Sequence, residues 1–468
     1  MAMTMPTIGL IGLGTMGAAL ALNIAEKGFP IAVWNRTTQV TRDFHAGAGE
    51  LAERVTPAES LADLVAAIAP PRAIILMVPA GPAVDDQIAA LSGLLGPDDL
   101  VIDAGNANFH DTNRRNAAGL PFRFMGIGVS GGEEGARHGP AVMAGGTAED
   151  WARMAPVLQA IAARAEDGTP CADHMGPAGA GHFVKAVHNG IEYADMQMIA
   201  EVYGVMRDGL GMGAKAIGAT FQLWDKGILR SYLVEISGKV ALAGDAASGG
   251  PLLDVILDAA GQKGTGRWTV IEAQNLAAPI PVIEAAVMAR NVSARLAERA
   301  AGEALFGPAP ARLEGLSPDD LEQALIAGKI LCYAQGFAMM TAAGADFGWA
   351  LDMPAIARVW RAGCIIRSAM LNDMAGALAE DPGRNLMLAP FFSDLLRQSV
   401  PALRRVVAAG ALHGLACPAL SSGLAWFDMM RTARGTANMI QGQRDFFGLH
   451  GFKRLDGLDL PHGPWAAH

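Results

Sequence analysis

Gly176-Pro177-Ala178-Gly179-Ala180-Gly181-His182-Phe183-Val184-Lys185-Ala186-Val187-His188-Asn189-Gly190-Ile191-Glu192-Tyr193 is where the periodicity of this chain changes. Upstream, short apolar runs alternate with helical spacing. Downstream, to about Arg434, helical spacing runs almost unbroken and no strand is convincing. The expected architecture is an α/β domain over residues 1–180, an all-helical domain over 181–434 and an irregular C-terminal tail over 435–468. Within the quoted stretch, Lys185, His188, Asn189, Glu192 and Tyr193 fall at i, i+3, i+4, i+7 and i+8, one stripe of an α-helix about two turns long. Phe183, Val184, Val187, Ile191 and Ala194 face the other way and read as core. A solvated face would more often carry repeated Glu and Lys, whereas five different chemistries in one row mark a candidate site.

Working upstream, residues 7–13 read as a buried strand. They lead into Gly12-Leu13-Gly14-Thr15-Met16-Gly17 and a helical run to Lys27. The first glycine permits the turn, the second lets backbone approach a pyrophosphate, and the third lets the helix pack on the strand. The fingerprint is weak alone, but strand before and helix after are its confirming context. The next strand, 31–34, ends at Asn35-Arg36-Thr37. A carboxylate at this position would accept from a ribose 2′-hydroxyl; a guanidinium and a hydroxyl instead match a 2′-phosphate and favour NADP. Strands at 73–78, 100–103, 124–128 and 141–144, with a helix from about Val84, continue the rhythm of a doubly wound parallel sheet, a Rossmann-like domain. Asn106 follows the strand ending at Asp103, at the carboxyl edge where ligands bind. Ser130-Gly131-Gly132-Glu133-Glu134-Gly135 is placed similarly, either a cradle of backbone N–H groups for a carboxylate or a simple flexible loop.

Downstream, Gly261-Gln262-Lys263-Gly264-Thr265-Gly266-Arg267 is a glycine-rich break carrying two cations, and Arg290 sits in a later helix. Lys263 and Arg290 are candidates for a phosphate clamp. The tail contains Gly442, Gly448, Gly451, Gly457, Gly463, Pro461 and Pro464 and no durable helical period. Phe446, Phe447, Phe452 and Trp465 nonetheless make it too apolar for a disordered end. It is expected to dock into something such as a partner subunit.

A net charge of −10 argues against a nucleic-acid surface, so any anionic ligand needs a local cationic pocket. The four cysteines are widely spaced with no CxxC pair, which indicates neither metal nor disulfide and suits a cytoplasmic setting. The apolar N-terminal run lacks a basic leader and is cut by glycines, so it is not read as a signal peptide. No other run reads as long and apolar enough to span a bilayer, so no membrane partner is expected.

Taken together, Gly12–Gly17, Asn35-Arg36-Thr37, Val129–Arg137, Gly181–Tyr193, Gly261–Gly266 and Gln443-Arg444-Asp445 resemble the 6-phosphogluconate dehydrogenase family, NADP-dependent and decarboxylating, in its long homodimeric form. The resemblance spans essentially the whole chain. It implies Lys185 as general base and Glu192 as general acid. Ser130, Gly131, Gly132, His188, Asn189 and Asn106 would surround the substrate carboxylate and hydroxyls. Tyr193, Lys263 and Arg290 would hold its phosphate, and Arg444 and His450 would arrive from the neighbouring subunit. The implied cofactor contacts are Gly12, Gly14, Thr15, Met16, Gly17, Asn35, Arg36, Thr37, Val78 and Asn106. Pro79 stands where the family often has Lys. Phe446, Leu449 and Gly451 replace the usual Tyr, Ala and Thr of the tail. The expected reaction is oxidative decarboxylation of 6-phosphogluconate without a metal. Two alternatives are a non-decarboxylating β-hydroxyacid dehydrogenase, typically shorter and with no use for Lys263, Arg290 and Arg444, and a catalytically silent NADP-binding sensor, against which the Lys185–Glu192 pair speaks.

Overall fold

A computed structural model describes residues 5–308 and 312–467. The alternating half builds strands β1 (Ile8–Ile11), β2 (Ile31–Trp34), β3 (Val55–Pro57), β4 (Ala73–Leu76), β5 (Leu100–Asp103), β6 (Arg123–Ser130), β7 (Ala141–Ala144) and β8 (Ala172–His174). Between them run helices α1 (Thr15–Glu26), α2 (Thr38–Gly47), α3 (Leu61–Ala67), α4 (Pro82–Leu91), α5 (Phe109–Ala117), α6 (Gly132–His138) and α7 (Ala148–Ile161). The strands form one sheet in the order β3-β2-β1-β4-β5-β6-β7-β8. The strand order reverses at β1/β4, which sets the crevice where dinucleotides bind in such sheets. β1, β2, β4, β5 and β6 are parallel and almost wholly buried, which is why their sequences are largely apolar runs rather than alternating ones.

The sheet is not parallel throughout: β7 runs antiparallel to β6, with Ile127 opposite Ala144 and Ser130 opposite Ala141. Residues 131–140 carry only the short α6, too few to return the chain to the starting edge for a parallel crossover. The two three-residue strands β3 and β8 carry no periodic signal and were not expected from the sequence.

The remaining helices are α8 (Ala180–Gly204), α9 (Ala214–Trp224), α10 (Tyr232–Leu242), α11 (Thr265–Asn275), α12 (Pro281–Ser293), α13 (Leu296–Phe306), α14 (Pro318–Phe347), α15 (Met353–Val359), α16 (Met370–Glu380), α17 (Pro390–His413), α18 (Pro418–Met430) and α19 (Ala437–Gly448). α8 is the hinge of the design. It leans on β6 and β7 on one side and on α11, α12, α14 and α18 on the others. Its approach to the sheet depends on Gly128 of β6, where a Cβ would collide with Cβ of Lys185, and on Gly181, where one would collide with Met143 O and Gly145 N.

α14 starts on a capping box: the Ser317 hydroxyl accepts from Asp320 N and the Asp320 carboxylate accepts from Ser317 N. It ends on Gly348 in the left-handed region. By length and composition α14 could cross a membrane, its best 18-residue window averaging a hydropathy of 1.3, contrary to the expectation of no such run. Its apolar character has a different cause: 89% of that window is buried among the other helices, so it is apolar all round. Two salt-bridge contacts of 2.7 and 2.6 Å tie Lys329 of α14 to Asp195 of α8, both partners buried.

The tail is less irregular than its composition implies, because residues 437–448 form the helix α19. Its apolar side chains Met439, Ile440, Phe446 and Phe447 share one face by their spacing, and that face is turned to solvent. Met439, Ile440, Phe446 and Phe447 are 66, 59, 68 and 72% exposed.

Candidate active site

The fingerprint turn between β1 and α1 has the geometry that a pyrophosphate needs. Gly12 adopts φ +99°, where a Cβ would strike the backbone of Met77 and the Val78 side chain. Gly17 packs so closely that a Cβ would run into Gly12 O, while Gly14 faces open space at the α1 N-terminus. Thr15 is exposed and Met16 half-buried beside it. Free backbone N–H groups beneath an open space fit a dinucleotide phosphate. Asn35 has a structural task as well: its Oδ1 accepts from Leu13 N at 3.1 Å, tying this loop to the end of β2. Arg36 and Thr37 are exposed beside it, the guanidinium available for a 2′-phosphate. Val78 lines the same crevice and Pro79 is exposed next to it.

Asn106, at φ +54°, holds the β5 and β6 ends together. Its Nδ2 donates to Val129 O at 3.2 Å and its Oδ1 accepts from Val129 N at 3.1 Å. Ser130, the last residue of β6, thereby points at α8. Lys185 Nζ donates to Asn189 Oδ1 at 2.7 Å and lies 3.3 Å from His188 Nδ1. His188 Nε2 lies 3.2 Å from Ser130 Oγ. His188 Nδ1 lies closer still, 2.9 Å, to the acceptor Asn189 Oδ1, so the neutral tautomer with its proton on Nδ1 donates there and accepts from the Ser130 hydroxyl at Nε2. Asn189 Nδ2 donates to Thr265 Oγ1 at 2.8 Å, bringing the first residue of α11 to the cluster.

Burial pushes the Lys185 pKa down to about 8, with the Glu192 carboxylate pulling the other way. Burial, then the Lys185 charge, hold His188 well below the usual imidazole range, so it is neutral at pH 7. Glu192 is raised by burial against the pull of Lys185 and Arg290. The helix therefore carries a softened base and a softened acid two turns apart. At the next residue, Tyr193, the Arg290 guanidinium stacks 3.5 Å from the ring centroid and also donates to Gly261 O at 2.9 Å. This joins α12 to the loop that exposes Lys263. Gly131 and Gly132, both at positive φ, open α6 beside Ser130.

Arg444 and His450 are not brought to this cluster within the chain. Arg444 donates to Gln441 Oε1 at 3.2 Å and the His450 ring lies 5.9 Å from that of Phe447, both contacts inside the tail. Three neighbours of the cluster were not read from the sequence as site residues. Thr265 sat in a loop noted for its cations, and its hydroxyl was the available clue. Trp360, whose ring centre lies 5.8 Å from that of His188, and Cys364, close enough to Lys185 to influence its charge, come from a distant segment that no local pattern links to α8.

A doubly wound nucleotide crevice opening onto a buried lysine–glutamate pair defines a pyridine-nucleotide-dependent dehydrogenase that moves a proton along with the hydride. Residues 7–176 match the family model described as the NAD binding domain of 6-phosphogluconate dehydrogenase, and residues 181–465 match that of its C-terminal domain. The decarboxylating 6-phosphogluconate dehydrogenase of Treponema pallidum is 48% identical, with 96% of this chain and 94% of that protein covered. The NADP(+)-dependent decarboxylating enzyme of Bacillus subtilis is 43% identical over 99% of this chain and all of that protein. A solved structure of Plasmodium falciparum 6-phosphogluconate dehydrogenase, described in apo form and in complex with its cofactor NADP+ and its substrate 6-phosphogluconate, superposes with a TM-score of 0.94 at 36% identity, covering 98% of this chain and 100% of that one. The chain belongs to the 6-phosphogluconate dehydrogenase family.

Proposed function

We infer that the chain oxidises and decarboxylates 6-phospho-D-gluconate to D-ribulose 5-phosphate and CO2, reducing NADP to NADPH. The observation that carries the reading is Lys185, buried with a pKa near 8 and aligned on one helix with Glu192. NADP, when bound, accepts the hydride from C3 of the substrate. Neutral Lys185 takes the proton of the C3 hydroxyl as that hydride leaves. The resulting ammonium donates to the new C3 carbonyl oxygen, so the electrons of the C1–C2 bond can flow toward it as CO2 departs. Glu192 then protonates the carbon that lost CO2 while the C3 hydroxyl proton of the enediol passes back to Lys185, which converts the enediol to the ketose. His188, Asn189, Ser130, Gly131, Gly132 and Asn106 are assigned to the carboxylate and hydroxyls, and Thr265 joins them through Asn189. Tyr193, Lys263 and Arg290 are assigned to the phosphate.

Arg444 and His450 are assigned to the neighbouring site of a homodimer. The exposed apolar face of α19 and their distance from any partner outside the tail support this. The proposed division into domains at 180 and 434 is supported by the sheet ending at His174 and by the solvent-facing tail. A cytoplasmic setting is supported by four cysteines that are buried and unpaired.

The test offers the purified protein 6-phosphogluconate or 3-hydroxyisobutyrate, each with NADP or NAD. NADPH together with CO2 from the first substrate alone is the expected result. NADPH from 3-hydroxyisobutyrate would favour the simple dehydrogenase, and cofactor binding without turnover the sensor.

A further inference from the structure

Outside the proton-transfer machinery, a buried carboxylate with all its acceptor positions filled lies in the tail. Asp445 is 0% exposed, within a segment whose neighbours Phe446 and Phe447 face solvent. Its Oδ1 accepts from Gly451 N at 2.8 Å and from His462 Nδ1 at 2.7 Å. Its Oδ2 accepts from Gly463 N at 2.9 Å and from Trp465 Nε1 at 2.8 Å. Four donors fill the acceptor capacity of a carboxylate, so none remains for a substrate or a metal.

These donors come from two separate places, the turn after α19 and the end of the chain. The carboxylate therefore folds residues 461–465 back onto the last turn of the helix. The closure is reinforced where Gln441 Nε2 donates to Gly451 O at 2.5 Å and Phe452 N donates to Pro461 O at 2.8 Å. The Trp465 ring rests 5.7 Å from that of Phe446. The turn itself passes through left-handed backbone at Leu449 (φ 48°) and Gly451 (φ 72°). His450 lies between them, fixed by the bond from Gly451 to Asp445. Arg444 directly precedes Asp445 and donates to Oε1 of the same Gln441 whose Nε2 holds Gly451, which ties its guanidinium to the closed loop.

We propose that Asp445 is a positioning residue: it closes the tail into a preformed loop that presents Arg444 and His450 to the neighbouring subunit's substrate phosphate. The proposal rests on the reading above that these two residues serve the partner's site. Pre-organisation matters because a tail that ordered only on docking would charge its ordering entropy against substrate affinity.

The experiment compares Asp445→Ala, Asp445→Asn, Arg444→Ala and the double variant Arg444→Ala/Asp445→Ala in the full-length enzyme. KM for 6-phosphogluconate, KM for NADP and amide hydrogen exchange across 449–465 are measured. Asp445→Ala is expected to speed exchange at Gly451 and Gly463 and to raise KM for 6-phosphogluconate about tenfold, an effect worth roughly 1.4 kcal/mol. KM for NADP should stay unchanged. Asp445→Asn, which keeps one acceptor oxygen, should fall between. The double variant should fall short of additivity, since Asp445→Ala acts partly through Arg444 and only the remainder through His450. An unchanged KM in Asp445→Ala beside a raised KM in Arg444→Ala overturns the positioning role alone. Unchanged KM in both overturns the reading of the tail on which the proposal stands. Full additivity in the double variant also contradicts it.

Discussion

At the level of single residues, the decisive quantity is the protonation state of Lys185. Burial lowers its pKa to about 8, so the neutral amine, the form proposed to take the hydroxyl proton, is present near neutral pH only as a minority and grows as pH rises. kcat/KM for 6-phosphogluconate should therefore fall with unit slope below about pH 8, measured as initial NADPH formation. The Glu192 carboxylate favours the ammonium, so Glu192→Gln should move that acidic limb to lower pH while slowing the step that protonates the enediol. A limb that stayed in place would disprove the coupling. The same depressed pKa carries a stability cost. An amine that binds its proton less well folded than unfolded costs stability fully below pH 8, and the cost disappears above the unfolded value of 10.5. By that shift the cost is about 3 kcal/mol at pH 7. Lys185→Met should unfold at higher denaturant than wild type at pH 7, with the gap closing toward pH 10.5 and turnover lost. Spacing alone made Lys185, His188, Asn189, Glu192 and Tyr193 legible as a row. The burial that softens them was not legible, because it comes from Trp360, Cys364 and the sheet, which lie far away in sequence.

At the level of elements, α8 works only if the sheet and the helical core both hold it in register. Gly128→Ala would set a methyl against Lys185, and overpacking of this kind costs about 1–3 kcal/mol. Activity should drop more than stability if the displaced residue acts as the proposed base; equal activity in the variant would show that the close approach is dispensable. Behind the helix, Lys329→Met would leave Asp195 as an unpaired buried anion, destabilising by about 3–5 kcal/mol in chemical denaturation. Adding Asp195→Leu should recover most of the loss. If the double variant were as unstable as the single, the pair would matter for its packing rather than its charge. Strong elements were readable in the sequence: β1, α1, β4 and β5 from their runs, α8 from its stripe. The weaker ones were not. β3 and β8 are too short to show a period, the direction of β7 follows from the length of its connection, and α19 contains Gly442 and Gly448, which read as breaks in the sequence.

For the whole molecule, the proposed completion of the site by a partner's tail makes a prediction that no single-chain site can satisfy. Lys185→Met and Arg444→Ala chains, each nearly inactive alone, should regain turnover when unfolded and refolded together. In a mixed dimer, one site combines an intact Lys185 with an intact tail from the other chain. Mixtures no more active than the sum of the separate variants would place Arg444 in its own chain's site. The composition of the tail, aromatic yet without period, hinted at docking. The fold of the loop around Asp445 could not be read, because its four donors are spread over residues 451–465.

The most direct test of the central claim, that α8 carries the chemistry of an oxidative decarboxylation, is the ratio of CO2 to NADPH released from 6-phosphogluconate by wild type and by Lys185→Ala. The wild-type enzyme should yield one CO2 per NADPH. In the variant both should fall together by at least about a thousandfold, in line with the loss of a general base and its cation, while NADP binding persists. NADPH without CO2 in the wild type, or turnover surviving in the variant, would contradict it.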